Sequence, residues 1–359
     1  MSHTLERVTA SAPAKTNLVL HVGTPTPDGY HPLETLFLAV DLRETVAVSA
    51  GRPGSGTTVT VEPAPGSGYA RMVESGAARL ADIPLDATNL AVRAARAVCE
   101  ARGVAAADLA LRIGKAVPVA GGMGGGSADA AAALVAVDAL LARESGTAAS
   151  SAAELARLGA GLGADVPFML LGGAAIGRGT GTELEPVAAA DALHLVFVPQ
   201  DRGLSTPAVY RAWDTAHKVG LPGADAHGVE ADADDATFGA QSVGTAAGPD
   251  PVPAGALAAL AAGDPHALAT RIRNDLQAPA VELLPALRAV LALGTSRGAL
   301  SGWVSGSGPT VCFLADSADA AARLAAELTG EGHHALAVTG PVPGARVETD
   351  GCTRGGDRA

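Results

Sequence analysis

The run Pro118-Val-Ala-Gly-Gly-Met-Gly-Gly-Gly-Ser-Ala-Asp129, leading straight into Ala130-Ala-Ala-Ala-Leu134, carries more structural information than any other part of this chain. Five of its twelve residues are glycine, and the alanines behind them have high helix propensity. Glycine lets successive backbone N–H groups turn toward one point and lets an anion approach without a Cβ in the way. A helix starting at once adds free N–H groups and the positive end of its dipole. Together these describe a phosphate cradle. The run lacks the Gly-Lys-Ser/Thr ending of a P-loop and the spacing of Gly-x-Gly-x-x-Gly. In a chain with 45 glycines it is also compatible with a flexible connector. Its place between the strand-like Leu109-Ala-Leu-Arg-Ile113 and a helix favours the cradle.

Outward from the loop, strand-like and helix-like segments interleave. On the N-terminal side, Val8–Val22 has strand character with a polar break at Lys15-Thr-Asn17, and Asp28-Gly29 marks a turn. Leu36–Val40 and Glu44–Val48 read as strands, and Asn89–Arg102 as a helix. On the C-terminal side, Ser151–Leu162 reads as a helix ending at glycine. Gly163-Ala-Asp-Val-Pro167 follows, leading into an apolar strand at Phe168–Leu171. Further strands are expected at 192–198, 302–304, 310–314 and 334–338, and helices at 207–216, 265–276, 281–293 and 318–327. The pattern predicts an α+β (mixed α/β) protein, and 359 residues suffice for two domains. The expected division is 1–167 and 168–350, with a flexible tail at 351–359. Val219–Pro253 holds six acidic residues and neither Lys nor Arg, among Gly, Pro, Ala and Ser. It cannot bury enough apolar area to offset its ordering entropy, and reads as a disordered insertion.

Composition narrows the function. A net charge of −12 argues against nonspecific nucleic-acid binding. Cys99, Cys312 and Cys352 are odd in number and far apart, which suggests no disulfide framework or metal-ligand spacing and fits a reducing cytoplasm. The start, Met1-Ser-His-Thr-Leu-Glu-Arg7, has no signal-peptide core. No run approaches about 20 uninterrupted strongly apolar residues, so no membrane span is expected.

Three other stretches place polar groups on apolar scaffolding. Lys15 interrupts an apolar strand; it is either an exposed edge lysine or an ammonium that neutralises an anion. Asp165, flanked by Ala164, Val166, Pro167 and Phe168, is either a turn residue or a partly desolvated carboxylate. A Lys15–Asp165 pair would satisfy both, keeping the carboxylate ionised and able to accept a hydroxyl proton. Ser305-Gly-Ser-Gly-Pro309, ahead of the apolar Val311-Cys-Phe-Leu314, is either a tight hairpin turn or a second source of backbone donors.

In this order, Lys15-Thr-Asn17, the Pro118–Ala131 loop, Gly163-Ala-Asp-Val-Pro167 and Ser305-Gly-Ser-Gly-Pro309 resemble the motifs of the GHMP kinase superfamily. Ala12–Leu20, Asp28-Gly-Tyr-His31, Glu34-Thr-Leu-Phe37, Ser205-Thr-Pro207 with Tyr210, and Arg273-Asn-Asp-Leu-Gln277 are most similar to the branch acting on 4-diphosphocytidyl-2-C-methyl-D-erythritol. The resemblance spans nearly the whole chain apart from the acidic insertion and the tail. It implies a two-domain kinase with its active site in the interdomain cleft, using ATP with Mg²⁺ held mainly by the ATP phosphates. It implies Asp165 as the base for the substrate's 2-hydroxyl and Lys15 as its electrostatic support. It assigns Pro118, Val119, Ala120, Gly121, Gly122, Met123, Gly124, Gly125, Gly126, Ser127 and Ala128 to the ATP loop, and Asn89 to the adenine. Asn17, Tyr30, His31, Thr206 and Tyr210 fall near the diphosphocytidyl group. Stacking faces and a directional hydrogen-bond partner suit cytosine, and two of the chain's three tyrosines lie at these positions.

The chain departs from the family pattern Gly-Leu-Gly-Gly-Gly-Ser-Ser, with Met123 in place of leucine and Ala128 in place of the second serine. Met123 should pack, whereas Ala128 removes a hydroxyl from the expected phosphate site. Thr16 stands where an aliphatic residue is usual and suits a strand. Homoserine or mevalonate as substrate would leave Tyr30-His31 and Tyr210 without a purpose. A non-catalytic binding protein of the same fold would be expected to lack Lys15 or Asp165, and both are present.

Overall fold

The computed structural model describes residues 7–104, 108–119, 121–190, 192–217 and 248–348. Its strands are β1 (Arg7–Val22), β2 (Leu33–Ala50), β3 (Thr58–Pro63), β4 (Leu109–Lys115), β5 (Ala174–Gly179), β6 (Glu183–Pro186), β7 (Leu193–Val198), β8 (Arg273–Asn274), β9 (Ser301–Val304), β10 (Val311–Ala315), β11 (Leu336–Gly340) and β12 (Arg346–Val347). Its helices are α1 (Gly68–Ser75), α2 (Leu90–Ala101), α3 (Gly125–Ser145), α4 (Ala152–Ala160), α5 (Val166–Leu171), α6 (Thr206–Ala216), α7 (Ala254–Ala262), α8 (Pro265–Ala269), α9 (Gln277–Leu283), α10 (Ala286–Ser296) and α11 (Ala318–Gly330).

Two sheets organise the chain. The larger has the order β12-β1-β2-β4-β3, with β5 and β6 extending from β2 and β8 beside β1. The smaller, β11-β7-β10-β9, is antiparallel throughout. The long strands β1 and β2 tie the molecule together. β2 pairs with β4 through residues 45–50 and with β5 through residues 33–38, so its two ends belong to different surroundings. β1 changes core at a register shift between Pro13 and Ala14. Val8, Ala10 and Ala12 lie in the apolar cluster under α2 and α3. Ala14, Leu18 and Val19 lie in a second cluster shared with Leu195, Phe197 and Leu314 of the smaller sheet. Such a shift bends a strand and re-aims its side chains. Lys15-Thr-Asn17 comes just after it, where the two cores meet.

The alanines after the glycine loop let α3 lie close on the larger sheet, and Ala130 to Ala133 are fully buried there. α3 is long and apolar enough to cross a membrane, but 72% of its most apolar window is buried inside the fold, as in a core helix.

As expected, Lys15-Thr-Asn17 lies within a strand; it pairs with Ala39, Leu38 and Phe37 between register shifts at Pro13/Ala14 and Asn17/Val19, whereas other elements differ from expectation. Phe168–Leu171 is helical: Pro167 is tolerated in a first helical turn, and a short apolar run alone cannot separate buried helix from buried strand. The helix expected over 265–276 stops at Ala269, and Arg273–Asn274 instead pair with Val19–Leu20. The one expected over 281–293 is two helices with Leu284-Pro285 between them, since proline supplies no N–H to continue a helix. Of the acidic segment, 219–247 lies outside the described residues, as do 349–359. Val252 is buried, and its N–H donates to Glu34 Oε1 at 3.3 Å.

Candidate active site

Lys15 and Asn17 point to the same side of β1, as alternate strand residues must. Both are buried. Lys15 Nζ donates to Asn17 Oδ1 at 3.0 Å, and Asn17 Nδ2 donates to the Thr35 hydroxyl at 2.8 Å. Thr35 donates in turn to the Val19 carbonyl, so the short polar chain is anchored on backbone. The Lys15 N–H donates to the Met123 carbonyl at 3.1 Å, joining β1 directly to the glycine loop.

Asp165 stands at the N-cap position of α5, yet its side chain makes no capping bond. Its carboxylate faces Lys15, with Oδ2 to Nζ at 3.5 Å. The Lys15 side chain is 7% exposed and that of Asp165 30%, so the ammonium is enclosed while the carboxylate remains reachable.

The two glycine loops meet here. Ser305 Oγ donates to the Gly122 carbonyl at 3.0 Å, and the Thr310 N–H donates to the Gly121 carbonyl at 3.3 Å. Gly122 has φ +74, and a Cβ on it would collide with the Ser305 carbonyl oxygen. Gly124, also at positive φ, caps α3 without a side-chain bond, which leaves N–H groups of the first turn free to receive an anion. Asn274 Nδ2 donates to the carbonyls of Val304 and Gly306, both at 2.7 Å, and Gln277 Oε1 accepts from the Val304 N–H. Arg273-Asn-Asp-Leu-Gln277 thus serves to hold the second loop in place.

A cavity of about 740 Å³ runs from these loops past β1 to α6, within the range of small-molecule sites. Lys15, Asp165, Gly122, Gly124 and Ser127 line one part of its wall; Tyr30, His31, Thr206 and Tyr210 line another, and Asn17 also lines it. The His31 and Tyr210 rings lie 4.9 Å apart, and Thr206 Oγ1 and Ser307 Oγ share a hydrogen bond of 2.8 Å. Burial, with Asp165 nearby, pushes the Tyr210 hydroxyl up to about 12, so it remains a neutral donor.

Beneath the first glycine loop lies a buried charge cluster that sequence reading did not find. Lys115 Nζ is 2.6 Å from Glu44 Oε1 and 2.7 Å from Asp129 Oδ2. Glu44 also accepts from the N–H groups of Ala116 and Val117. Burial pushes the Glu44 carboxyl up to about 8 and raises Asp129 as well. Burial opposes charge on Lys115, but the two carboxyls outweigh it and hold the ammonium protonated.

Other expected residues lie off the cavity wall. Asn89 caps α2: Oδ1 accepts from the Ala91 N–H at 2.9 Å and Nδ2 donates to the Pro84 carbonyl at 2.7 Å. Its neighbour Leu90 approaches Gly126 of the loop. Met123 and Ala128 are fully buried in the two cores, and Gly125 sits over the Glu44–Lys115 pair. Pro118 is buried, Val119 is 41% exposed, and Gly126 is exposed. Ala120 lies outside the described residues. Conversely, Arg211 and Asp214 line the cavity without having been singled out, and Thr35 and Ser307 line it from within motifs already quoted; the four-residue spacing of Asp214 from Tyr210 on a helix is the signal that could have found it.

A family model described as GHMP kinases N terminal domain matches residues 89–173, and one described as GHMP kinases C terminal matches residues 256–334. A 4-diphosphocytidyl-2-C-methyl-D-erythritol kinase of Pseudarthrobacter chlorophenolicus is 47% identical over 348 residues, covering 96% of this chain and 95% of the relative. The chain belongs to the GHMP kinase family. Its two-domain mixed α/β architecture is that of the family, and it is a small-molecule kinase. A relative of the same name in Streptomyces coelicolor is 44% identical, covering 90% of this GHMP kinase and 93% of the relative. A crystal structure of 4-(cytidine 5'-diphospho)-2C-methyl-D-erythritol kinase superposes with a TM-score of 0.64 at 30% identity, covering 92% of this chain and 98% of that one. A homoserine kinase from Cytophaga hutchinsonii, at 16% identity and a TM-score of 0.60, shares the fold.

Proposed function

We propose that this GHMP kinase transfers the γ-phosphoryl group of ATP to the 2-hydroxyl of 4-diphosphocytidyl-2-C-methyl-D-erythritol, a step of non-mevalonate isoprenoid precursor synthesis. The observation that carries the proposal is one continuous cavity joining the Lys15–Asp165 pair and the glycine loop to the aromatic residues around His31. The relatives at 44–47% identity bear that substrate in their names.

In this reading Asp165 accepts the proton of the attacking hydroxyl, and the Lys15 ammonium keeps the carboxylate ionised until then. The new bond joins the substrate oxygen to phosphorus, the bond to the ADP oxygen breaks, and the proton stays on Asp165 until solvent removes it. The loop from Gly121 to Ser127 receives the phosphates through backbone N–H groups, a fit supported by the uncapped start of α3 and the space that glycine leaves there. A Mg²⁺ held mainly by the phosphates would supply charge neutralisation. Tyr30, His31, Thr206, Tyr210 and Asn17 receive the diphosphocytidyl group, and Asn89, through α2, borders the nucleotide loop. The division into an ATP-binding domain over 1–167 and a second domain over 168–350 is part of the proposal; the two family matches fall largely on either side of it.

The test is ADP release with Mg-ATP and 4-diphosphocytidyl-2-C-methyl-D-erythritol, run beside homoserine and mevalonate. Turnover with the cytidine compound alone is expected. Turnover with either other alcohol instead would keep the kinase and reject the cytosine reading.

A further inference from the structure

Helix α6 turns Thr206, Tyr210 and Asp214 toward the cavity at four-residue spacing. Asp214 is buried, and Oδ1 lies 2.7 Å from His31 Nε2. Among the described residues this is the carboxylate's one hydrogen bond, and a buried carboxylate is costly without a partner. The imidazole is also held by its faces. The Tyr210 ring lies 4.9 Å away at a tilt of 43°, and Trp213 meets it edge-on at 5.6 Å. A carboxylate accepts and does not donate, so the proton of the His31–Asp214 bond belongs to Nε2. In the neutral ring Nδ1 is then a bare acceptor.

We propose that Asp214 is a positioning residue that fixes the tautomer of His31, so that Nδ1 accepts from an amino group on the ligand's base. The inference rests on the proposed reading that His31 meets that base. Its consequence is selectivity: a 4-amino pyrimidine offers a donor where a 4-oxo pyrimidine offers a second acceptor, and two facing acceptors leave both unpaired.

The test titrates the full-length protein, with its ATP site filled by a non-hydrolysable Mg–ATP analogue, against cytidine diphosphate and uridine diphosphate. Wild type, Asp214→Asn and His31→Ala are compared. The asparagine amide can donate to Nε2 and so move the ring proton to Nδ1. A cytidine preference in wild type that falls about tenfold in Asp214→Asn, the scale of one directional hydrogen bond, is expected. Nitrogen-15 spectra of the histidines at pH 8 should show the His31 proton on Nε2 in wild type and on Nδ1 in Asp214→Asn. Preference lost in His31→Ala but kept in Asp214→Asn with an unmoved proton would overturn the role of Asp214 alone. Preference kept in His31→Ala would overturn the base-reading assignment and this inference with it. If Asp214→Asn does not fold, the wild-type spectrum still decides, since a His31 proton on Nδ1 with Nε2 bare rejects the proposal.

Discussion

Lys15 Nζ lies 3.5 Å from Asp165 Oδ2, joining a strand of the larger sheet to the N-cap of a short helix from a distant part of the chain. The ammonium is enclosed and also held by Asn17, whereas the carboxylate is open to the cavity and spends nothing on capping α5. Replacing either partner should therefore remove chemistry more than binding. Asp165→Asn and Lys15→Met are each expected to lower kcat by about 10²–10⁴-fold, the scale of a positioned proton acceptor, with the dissociation constant for ATP little changed. Single-turnover kinetics beside calorimetric ATP titration separates the two. Near-normal turnover in Asp165→Asn would reject it as the base.

Two glycines of the loop are expected to differ in tolerance. Gly122 and Gly124 have φ of +74 and +73, so alanine at either position costs about 1–3 kcal/mol in backbone conformation. A Cβ at 122 also meets the Ser305 carbonyl, which is backbone, while one at 124 meets the flexible end of Met169. Gly122→Ala must push the two loops apart; Gly124→Ala need only move a methionine tip. The expected order of lost thermal stability and of raised KM for ATP is Gly122→Ala above Gly124→Ala, measured by melting curves and steady-state kinetics. Equal effects would mean that the contact between the loops contributes nothing.

The glycine loop and the helix directly behind it were legible in the sequence because their determinants are local: glycine freedom, followed at once by alanine helix propensity. The order of four motifs was readable too. The meeting of Lys15 with Asp165, by contrast, depends on how β1 bends at Pro13/Ala14, a property of strand pairing that no short window contains. Lys115 illustrates the same limit. In sequence it is a lysine at the end of a strand, and only folding brings Glu44 and Asp129 to it. Phe168–Leu171 was misread because a short apolar run fits a buried strand and a buried helix equally well.

Thr16 gains a purpose from the fold. Its hydroxyl accepts from Trp303 Nε1 at 3.1 Å, and Cys312 Sγ lies 3.6 Å away, all three fully buried. Thr16→Val keeps the shape but strands the indole N–H, an unsatisfied buried donor worth about 1–3 kcal/mol. Lower stability in chemical denaturation with unchanged KM for both substrates is expected, and Thr16→Ser should recover most of the loss. Equal stability of the valine variant would show that Trp303 finds another acceptor.

The Glu44–Lys115–Asp129 cluster makes a pH-dependent prediction. Two carboxyls share one ammonium out of water, and burial raises Glu44 from 4.5 to about 8. The folded protein thus retains near neutrality a proton that the unfolded chain has released. A raised acid pKa stabilises fully below the unfolded value, and the stabilisation is lost as pH rises through the folded one. The cluster's contribution to stability should therefore decline between pH 4.5 and about 8. Glu44→Gln cannot titrate yet keeps an oxygen for the Ala116 N–H, so melting temperature should vary less with pH across that window than in wild type. Lys115→Met leaves both carboxyls without a cation and should cost about 3–5 kcal/mol at pH 8, and less at pH 5, where the carboxyls can take up protons. Matching pH slopes for wild type and Glu44→Gln would mean that Glu44 stays ionised throughout, with Lys115 and the two loop N–H groups outweighing its burial.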